Sequence, residues 1–283
     1  MHGCTRSGSD SARLIISRRG THSPAASPAG GRSCRLDLAD IPVLASARDD
    51  SHPLVIAGGT CALNPEPMAD FVDAFVIGDG EEVILELLDA WRGEKGSGKK
   101  ARLRKLATIP GVYVPCFYEV KYDADGLIIS IMSTVPEAQH KVRRRIIARL
   151  PPPVTRPVVP YIEVVHDRGA IEVQRGCSRG CRFCQAGMIY RPVRERPQEE
   201  VVKAAGELIS NCGYDEISLV SLNTSDYSGV NELIGRLTQS YPNLTVSLPS
   251  LRLDTSSIKL VDSLPSRNRT GLTFAPEAGS ERL

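Results

Sequence analysis

The stretch Arg175–Gly187, RGCSRGCRFCQAG, sets Cys177, Cys181 and Cys184 at C-x3-C-x2-C spacing straight after the run GAIEVQ. GAIEVQ reads as a strand, so the thiols fall at a strand's carboxyl end. In βα barrels that end is where the chemistry sits. Reading outward toward the C-terminus, the pattern becomes regular. PQEEVVKAAGELISNCG (Pro197–Gly213) opens with the chemistry of a helix start and closes on glycine. EISLVSLN reads as a strand, GVNELIGRLTQSY as a helix and LTVSLPSLRLD as a strand. SSIKLVDSLP reads as a helix with a serine cap, and TGLTFAPEAG as a fourth strand. Alternation at this spacing predicts parallel strands joined by right-handed crossovers.

Outward in the other direction, PPPVTRPVVP (Pro151–Pro160) reads as a stiff linker that bounds a barrel-like domain over residues 161–283. Residues 95–160 read as a connector. In it, the basic stretches KGSGKKARLRK and HKVRRRIIARL flank GVYVPCFYEVKYDADGLIIS, a β-hairpin with an Asp-Ala-Asp-Gly turn. Residues 35–94 hold two strand–turn–helix units. PLVIAGG leads to PEPMADFVDA, read as a short helix, and AFVIGDGEE leads to the amphipathic EEVILELLDAWRG. Two such units make the tail half of a doubly wound α/β domain. Gly58, Gly59, Gly78 and Gly80 then fall at the strand ends where such folds bind ligands, although tight βα turns need glycine anyway. Residues 1–34 are rich in Ser, Arg, Gly and Pro, with Asp10 as their only acid, and read as a disordered or non-native leader.

A net charge of +2 gives no general pull toward nucleic acid or membrane. Either basic stretch is nonetheless of a kind that can meet RNA phosphates. No apolar run reaches the roughly 18–20 residues of a membrane span. The eight cysteines divide into the cluster, too tight for a disulfide framework, and Cys4, Cys34, Cys61, Cys116 and Cys212, scattered and read as buried or idle thiols. No signal peptide opens the chain, so the expected compartment is reducing and cytoplasmic.

Three thiolates on one loop suit a metal. A closed zinc site wants four ligands, and here no second pair lies nearby, while His166 precedes the strand. A [4Fe–4S] cluster on four cysteines is saturated; on three it keeps one iron open to a ligand.

CSRGCRFC, with Phe183 before the last cysteine, resembles the signature of the radical S-adenosylmethionine (SAM) superfamily. The longer string EVQRGCSRGCRFCQAGMIYRPVRERP, with PLVIAGGTCALNPEPMADFVDAFVIGDGEE, SLNTSDYS, SLPSLRLD and GLTFAPEAGSERL, resembles one largely uncharacterised family within it. Its members carry a cobalamin-binding-like domain before a radical SAM barrel. The resemblance covers roughly residues 35–283. It implies that Cys177, Cys181 and Cys184 bind three irons and that the fourth chelates the methionine moiety of SAM. The reduced cluster then cleaves SAM to a 5′-deoxyadenosyl radical that abstracts hydrogen from a substrate, fed by an external flavodoxin- or ferredoxin-like electron donor. By position it also implies a SAM-binding role for Phe183, Asn223, Thr224, Ser225, Arg252 and Glu277; for Arg252 and Glu277 a salt bridge within the barrel is the competing reading.

Two departures from the family pattern stand out. The Asp-x-His-x-x-Gly string of base-off cobalamin domains is absent, so nothing in the sequence supports cobalamin binding. Four barrel strands are legible where the superfamily usually has six, so the barrel reads as truncated after the fourth and the chain as a fragment. The expected function is a radical SAM enzyme on an unnamed substrate, with RNA among the candidates. The alternatives are a non-catalytic iron–sulfur fragment and a zinc-binding interaction module.

Overall fold

The computed structural model describes residues 14–17, 36–94, 96–162, 164–165, 167–264, 272, 274–276 and 279–280. They form two units, residues 1–147 and 148–283.

The first unit is built on a sheet of order β1-β2-β3-β4. Strands β1 (Leu14–Ser17), β2 (Leu54–Ala57) and β3 (Ala74–Val76) run parallel, and β4 (Val112–Tyr113) pairs antiparallel to β3. All four residues of β2 and all three of β3 are buried, as expected of parallel strands covered on both faces. Helix α1 (Val83–Gly93) turns Val83 and Leu87, four residues apart, into the core. PEPMADF folds as a short 3-10 helix, Glu66–Phe71. Behind the sheet a buried ion cluster ties the loops: Arg48 Nε donates to Asp73 Oδ2 at 3.0 Å, and Lys99 Nζ lies 2.8 Å from Asp73 Oδ1.

Two expectations are corrected here. The leader is not without structure throughout, since Leu14–Ser17 pair in register with Leu54–Ala57; the rest of it lies outside the described residues. LIIS is a short β-branched run that the polar composition around it conceals. The connector over 95–160 is also not merely a linker up to residue 147. Helix α2 (Lys99–Ala107) buries Leu103, Leu106 and Ala107, and Val112, Val114 and Phe117 complete the same core. The anticipated hairpin is present as β5 (Tyr118–Tyr122) and β6 (Ile128–Ser133), its turn closed by Asp123 Oδ1 accepting from the Leu127 amide at 2.7 Å.

The second unit holds a parallel sheet of order β11-β10-β7, from β7 (Gly169–Glu172), β10 (Glu216–Val220) and β11 (Thr245–Ser247). Between β7 and β10 lie β8 (Gln174–Arg175), α3 (Gln185–Ile189), β9 (Arg194–Glu195) and α4 (Gln198–Cys212). Helix α5 (Val230–Ser240) joins β10 to β11; then come β12 (Leu251–Arg252), α6 (Thr255–Ser263) and β13 (Phe274–Ala275), which pairs parallel to β12. Buried Val201, Ala204, Ala205 and Leu208 make one stripe on α4, and Val230, Leu233, Ile234 and Leu237 another on α5. Both pack on one face of the sheet, carried by Ile171, Val173, Ile217, Leu219 and Val246. The α4 helix stops at Gly213, whose φ of 73° is the left-handed cap that glycine accepts.

Two local readings change. LTVSLPSLRLD breaks into β11 and β12 around Pro249, which has no amide to give a ladder. The α6 cap is Asp254 instead of a serine, its Oδ1 accepting from the Ser257 amide at 2.9 Å. No helix among the described residues is long and apolar enough to cross a membrane.

Candidate cluster and cofactor site

The loop begins at Gly176. Its φ is +93°, and a Cβ there would sit 2.5 Å from the Tyr190 carbonyl oxygen and 2.7 Å from that of Pro192. Only glycine lets the chain leave β8 under the returning 190–192 segment and present Cys177. The second bend, Gly180, also has a left-handed φ of +67°. The Cys184 amide then donates to the Cys181 carbonyl at 3.0 Å, and Cys184 Sγ caps α3 by accepting from the Gly187 amide at 3.3 Å.

Cys177, Cys181 and Cys184 are all free and half-buried. Among the described residues no three His, Cys, Asp or Glu side chains stand close enough together to hold a metal. The donors are nonetheless of the right kind: three soft, half-buried thiols carried by one turn-rich loop. They fit an iron–sulfur cluster by chemistry. Phe183, between the last two cysteines, is 73% exposed and packs against no core.

The arginines after the loop, without a role in the sequence, hold the frame. Arg196 is buried; Nε donates to the Glu172 carbonyl, Nη2 to the Pro151 carbonyl, and Nη1 pairs with Glu200 at 3.0 Å. Arg194 Nη2 donates to the Tyr190 carbonyl at 3.2 Å. Arg175 makes a two-point contact with Glu172, 2.8 Å at each oxygen.

The turn after β10 carries the next candidates. Thr224 is fully buried, its amide donating to the Ser250 carbonyl and its hydroxyl to the Leu219 carbonyl. Its polar groups are therefore engaged in closing the turn, which argues for a structural part. Asn223 is 2% exposed, and its Oδ1 accepts from the Ser225 hydroxyl at 2.8 Å. Its amide nitrogen Nδ2 is buried and makes no well-formed hydrogen bond among the described residues, though it helps hold the Asp226 carboxyl below the usual carboxylate range. On β12, Arg252 Nη1 is in the same condition, 3.7 Å from Asp254 Oδ2 and so within ion-pair range only. The competing salt-bridge reading of Arg252 is thus met loosely. Glu277 lies outside the described residues.

One pair escaped the sequence reading. Arg179, between the first two cysteines, grips Asp226 in the turn after β10: Nε donates to Oδ2 at 2.6 Å and Nη2 to Oδ1. Arg179 holds the Asp226 carboxyl below the usual carboxylate range, and Asp226 in turn raises the guanidinium. The only hint in the sequence was an acid following Asn-Thr-Ser and a base inside the cysteine loop.

In the first unit, the glycine turn at the end of β3 is filled by the chain itself. The Arg145 amide donates to the Ile77 carbonyl at 2.8 Å, and the Asp79 amide to the Arg145 carbonyl at 3.0 Å. A Cβ on Gly78 would lie 2.2 Å from the Arg145 carbonyl oxygen. Residues of that turn therefore do not fit a cobalamin there. The two basic stretches are also engaged internally: Lys99 with Asp73, Arg104 with Glu137, Arg145 with Glu86. Of the scattered cysteines, Cys61 and Cys116 are free and exposed, against the expectation of burial, and Cys212 is free and half-buried; Cys4 and Cys34 lie outside the described residues.

Comparison with known proteins gives a consistent picture. Residues 34–115 match the family described as radical SAM proteins, N-terminal, and residues 171–283 match the radical SAM superfamily. The uncharacterized protein MJ0966 of Methanocaldococcus jannaschii is 27% identical over 245 residues, 83% of this chain and 45% of that protein. The chain thus spans under half the length of that relative. The threonylcarbamoyladenosine tRNA methylthiotransferase MtaB of Bacillus subtilis is 37% identical over 60 residues, 21% of this chain and 13% of its own. The ribosomal protein uS12 methylthiotransferase RimO of Brucella ovis is 29% identical over 103 residues, 33% of this chain and 23% of its own. Among solved structures, the radical SAM methyltransferase TsrM of Kitasatospora setae, with cobalamin and a [4Fe–4S] cluster bound, aligns at TM-score 0.47 and 16% identity over 74% of this chain and 39% of its own. The cobalamin-dependent SAM radical enzyme OxsB aligns at TM-score 0.46 and 12% identity over 81% of this chain and 30% of its own.

Proposed function

Because the chain belongs to the radical SAM superfamily, we propose that its second unit holds a [4Fe–4S] cluster on Cys177, Cys181 and Cys184 and SAM at the iron those thiolates leave open. The observation that carries this reading is a loop with three thiols, launched by an obligatory glycine at the end of β8, which follows β7. Cluster and SAM together would supply one-electron cleavage of the sulfonium to methionine and a 5′-deoxyadenosyl radical that abstracts hydrogen from substrate.

The chain's own residues prepare the surroundings. Arg196 and the Arg175–Glu172 pair fix the strand end from which the loop departs. A buried amide left unpartnered costs about 1–3 kcal/mol; the Nδ2 of Asn223 forms no well-formed hydrogen bond among the described residues and is met only by the Asp226 carboxylate, so a better-placed acceptor relieves part of that cost. The methionyl carboxylate of SAM is such an acceptor, and Arg252 is the cation suited to share it. Ser225 holds the Asn223 side chain so that Nδ2 stays directed. The exposure of the loop and of Phe183 leaves the cluster reachable by a flavodoxin- or ferredoxin-like donor. Cobalamin has no part in this reading. Both curated enzymes among the relatives are named for methylthio transfer, so that is the first outcome to assay once SAM cleavage is established.

The test is anaerobic reconstitution with iron and sulfide, then EPR of the dithionite-reduced protein with and without SAM. The expected result is a [4Fe–4S]⁺ signal that SAM perturbs, followed by 5′-deoxyadenosine in the products. A cluster signal indifferent to SAM would favour the non-catalytic iron–sulfur reading, and zinc in place of iron after anaerobic purification would overturn both.

A further inference from the structure

We infer that Arg179 and Asp226 are positioning residues that lock the cysteine loop to the turn after β10, so that cluster ligands and SAM-side groups are set by one contact. The inference rests on the cluster reading above and goes beyond it in assigning a pair outside the ligand set.

The geometry is specific. Both nitrogens of one edge of the guanidinium meet both oxygens of the carboxylate, the planar two-point arrangement that fixes orientation as well as distance. The partners are 47 residues apart and belong to different loops, so the contact is a tertiary tie. Arg179 lies between Cys177 and Cys181, the part of the loop with no helix to anchor it; the other end is already held by the Cys184 cap on α3. Asp226 belongs to the same short turn as Asn223 and Ser225, and its amide donates to the Asn223 carbonyl. A shift of Asp226 therefore moves Asn223, and a shift of Arg179 moves Cys177. The Arg179 side chain is 44% exposed and that of Asp226 12%, which sets the pair at the rim of the site, partly shielded from water. Neither residue offers a soft ligand for iron, so the assigned part is orientation.

The test compares Arg179→Gln, Arg179→Lys and Asp226→Asn with the wild-type chain, after anaerobic reconstitution and with secondary structure checked by circular dichroism. The readouts are iron per chain, the rate of iron loss to a ferrous chelator, and the change that SAM makes in the EPR of the reduced cluster. Arg179→Gln and Asp226→Asn are expected to lose iron about fivefold faster, as a partly exposed ion pair allows, and to show a weaker SAM-induced change. Arg179→Lys keeps the charge without the fork and should fall between them and wild type. If both neutral variants retain iron and respond to SAM as wild type does, the pair has no positioning part and the inference fails alone. If the wild-type chain takes up no cluster, the underlying reading fails and carries the inference with it.

Discussion

Replacing Gly176 by alanine tests whether the loop geometry is what makes the three cysteines a site. The added Cβ would lie 2.5 Å from one carbonyl oxygen and 2.7 Å from another, both of the 190–192 segment. An ordinary carbon–oxygen approach is about 3.3–3.6 Å, so one side must retreat by roughly 0.6–1 Å. Both obstacles are backbone, and neither can rotate away. A non-glycine residue at this φ adds about 1–2 kcal/mol of strain; with the displacement, holding the present loop would cost about 2–4 kcal/mol. The displaced residue is covalently next to Cys177, while metal sites tolerate errors of only about 0.2 Å in ligand distance. The rest of the unit, built on α4, α5 and their sheet, does not touch this position and should stay folded. The assay is iron and sulfide per chain after reconstitution, with circular dichroism to confirm folding. Gly176→Ala is expected to hold less than about a tenth of the wild-type cluster, from 2 kcal/mol or more at about 1.4 kcal/mol per decade. Full loading with unchanged chelator resistance would refute the argument that this turn sets the ligands.

Three further outcomes are expected. Asn223→Ala should keep the cluster and weaken SAM binding about tenfold, the worth of one hydrogen bond to a charged acceptor, read by titrating SAM against the EPR of the reduced protein. Gly78→Ala should drive the Arg145 backbone off the β3 turn, losing two hydrogen bonds; with the strain this costs about 3 kcal/mol and should lower the melting temperature of the first unit by about 10 °C in a thermal scan. Tyr227, whose hydroxyl donates to the Arg196 carbonyl, is pushed up to about 12 from 10.0, first by burial. The folded state thus holds this proton more tightly, so its stabilisation is complete below pH 10 and fades as pH rises toward 12; denaturation followed across that window should show the decline in wild type and a flatter profile in Tyr227→Phe.

What could be read in the sequence follows from the range of the forces involved. Strands such as Leu54–Ala57 and helices such as Gln198–Cys212 are legible because burial imposes a period on adjacent residues. Helix α2 was obscured because KKARLRKLA is so polar that its buried Leu103, Leu106 and Ala107 do not stand out, and because Lys99 is neutralised by Asp73, far away in sequence. The cysteines announced themselves through spacing alone. Asn223 and Arg252 are candidates only by their place at or after strand ends, and each has a buried nitrogen without a well-formed hydrogen bond among the described residues. Arg179 with Asp226 could not be found that way, since an ion pair between two loops leaves no periodic trace. Thr224 looked the same as Asn223 in the sequence and differs only in having its polar groups engaged.

The two units use glycine at their strand ends in different ways. In the first, the glycine turn after β3 is met by backbone from residues 143–147, and Arg145 continues onto Glu86. Gly78 is needed because the Arg145 main chain comes within contact distance. In the second, glycine serves to turn the cysteine loop, and Gln174 Oε1, Asn223 Nδ2 and Arg252 Nη1 are buried without well-formed hydrogen bonds among the described residues. Folded chains rarely leave such groups unmatched. Under the proposed reading, a zwitterionic amino-acid moiety such as that of SAM, with one carboxylate and one amine, is a ligand whose polar groups complement such donors and acceptors.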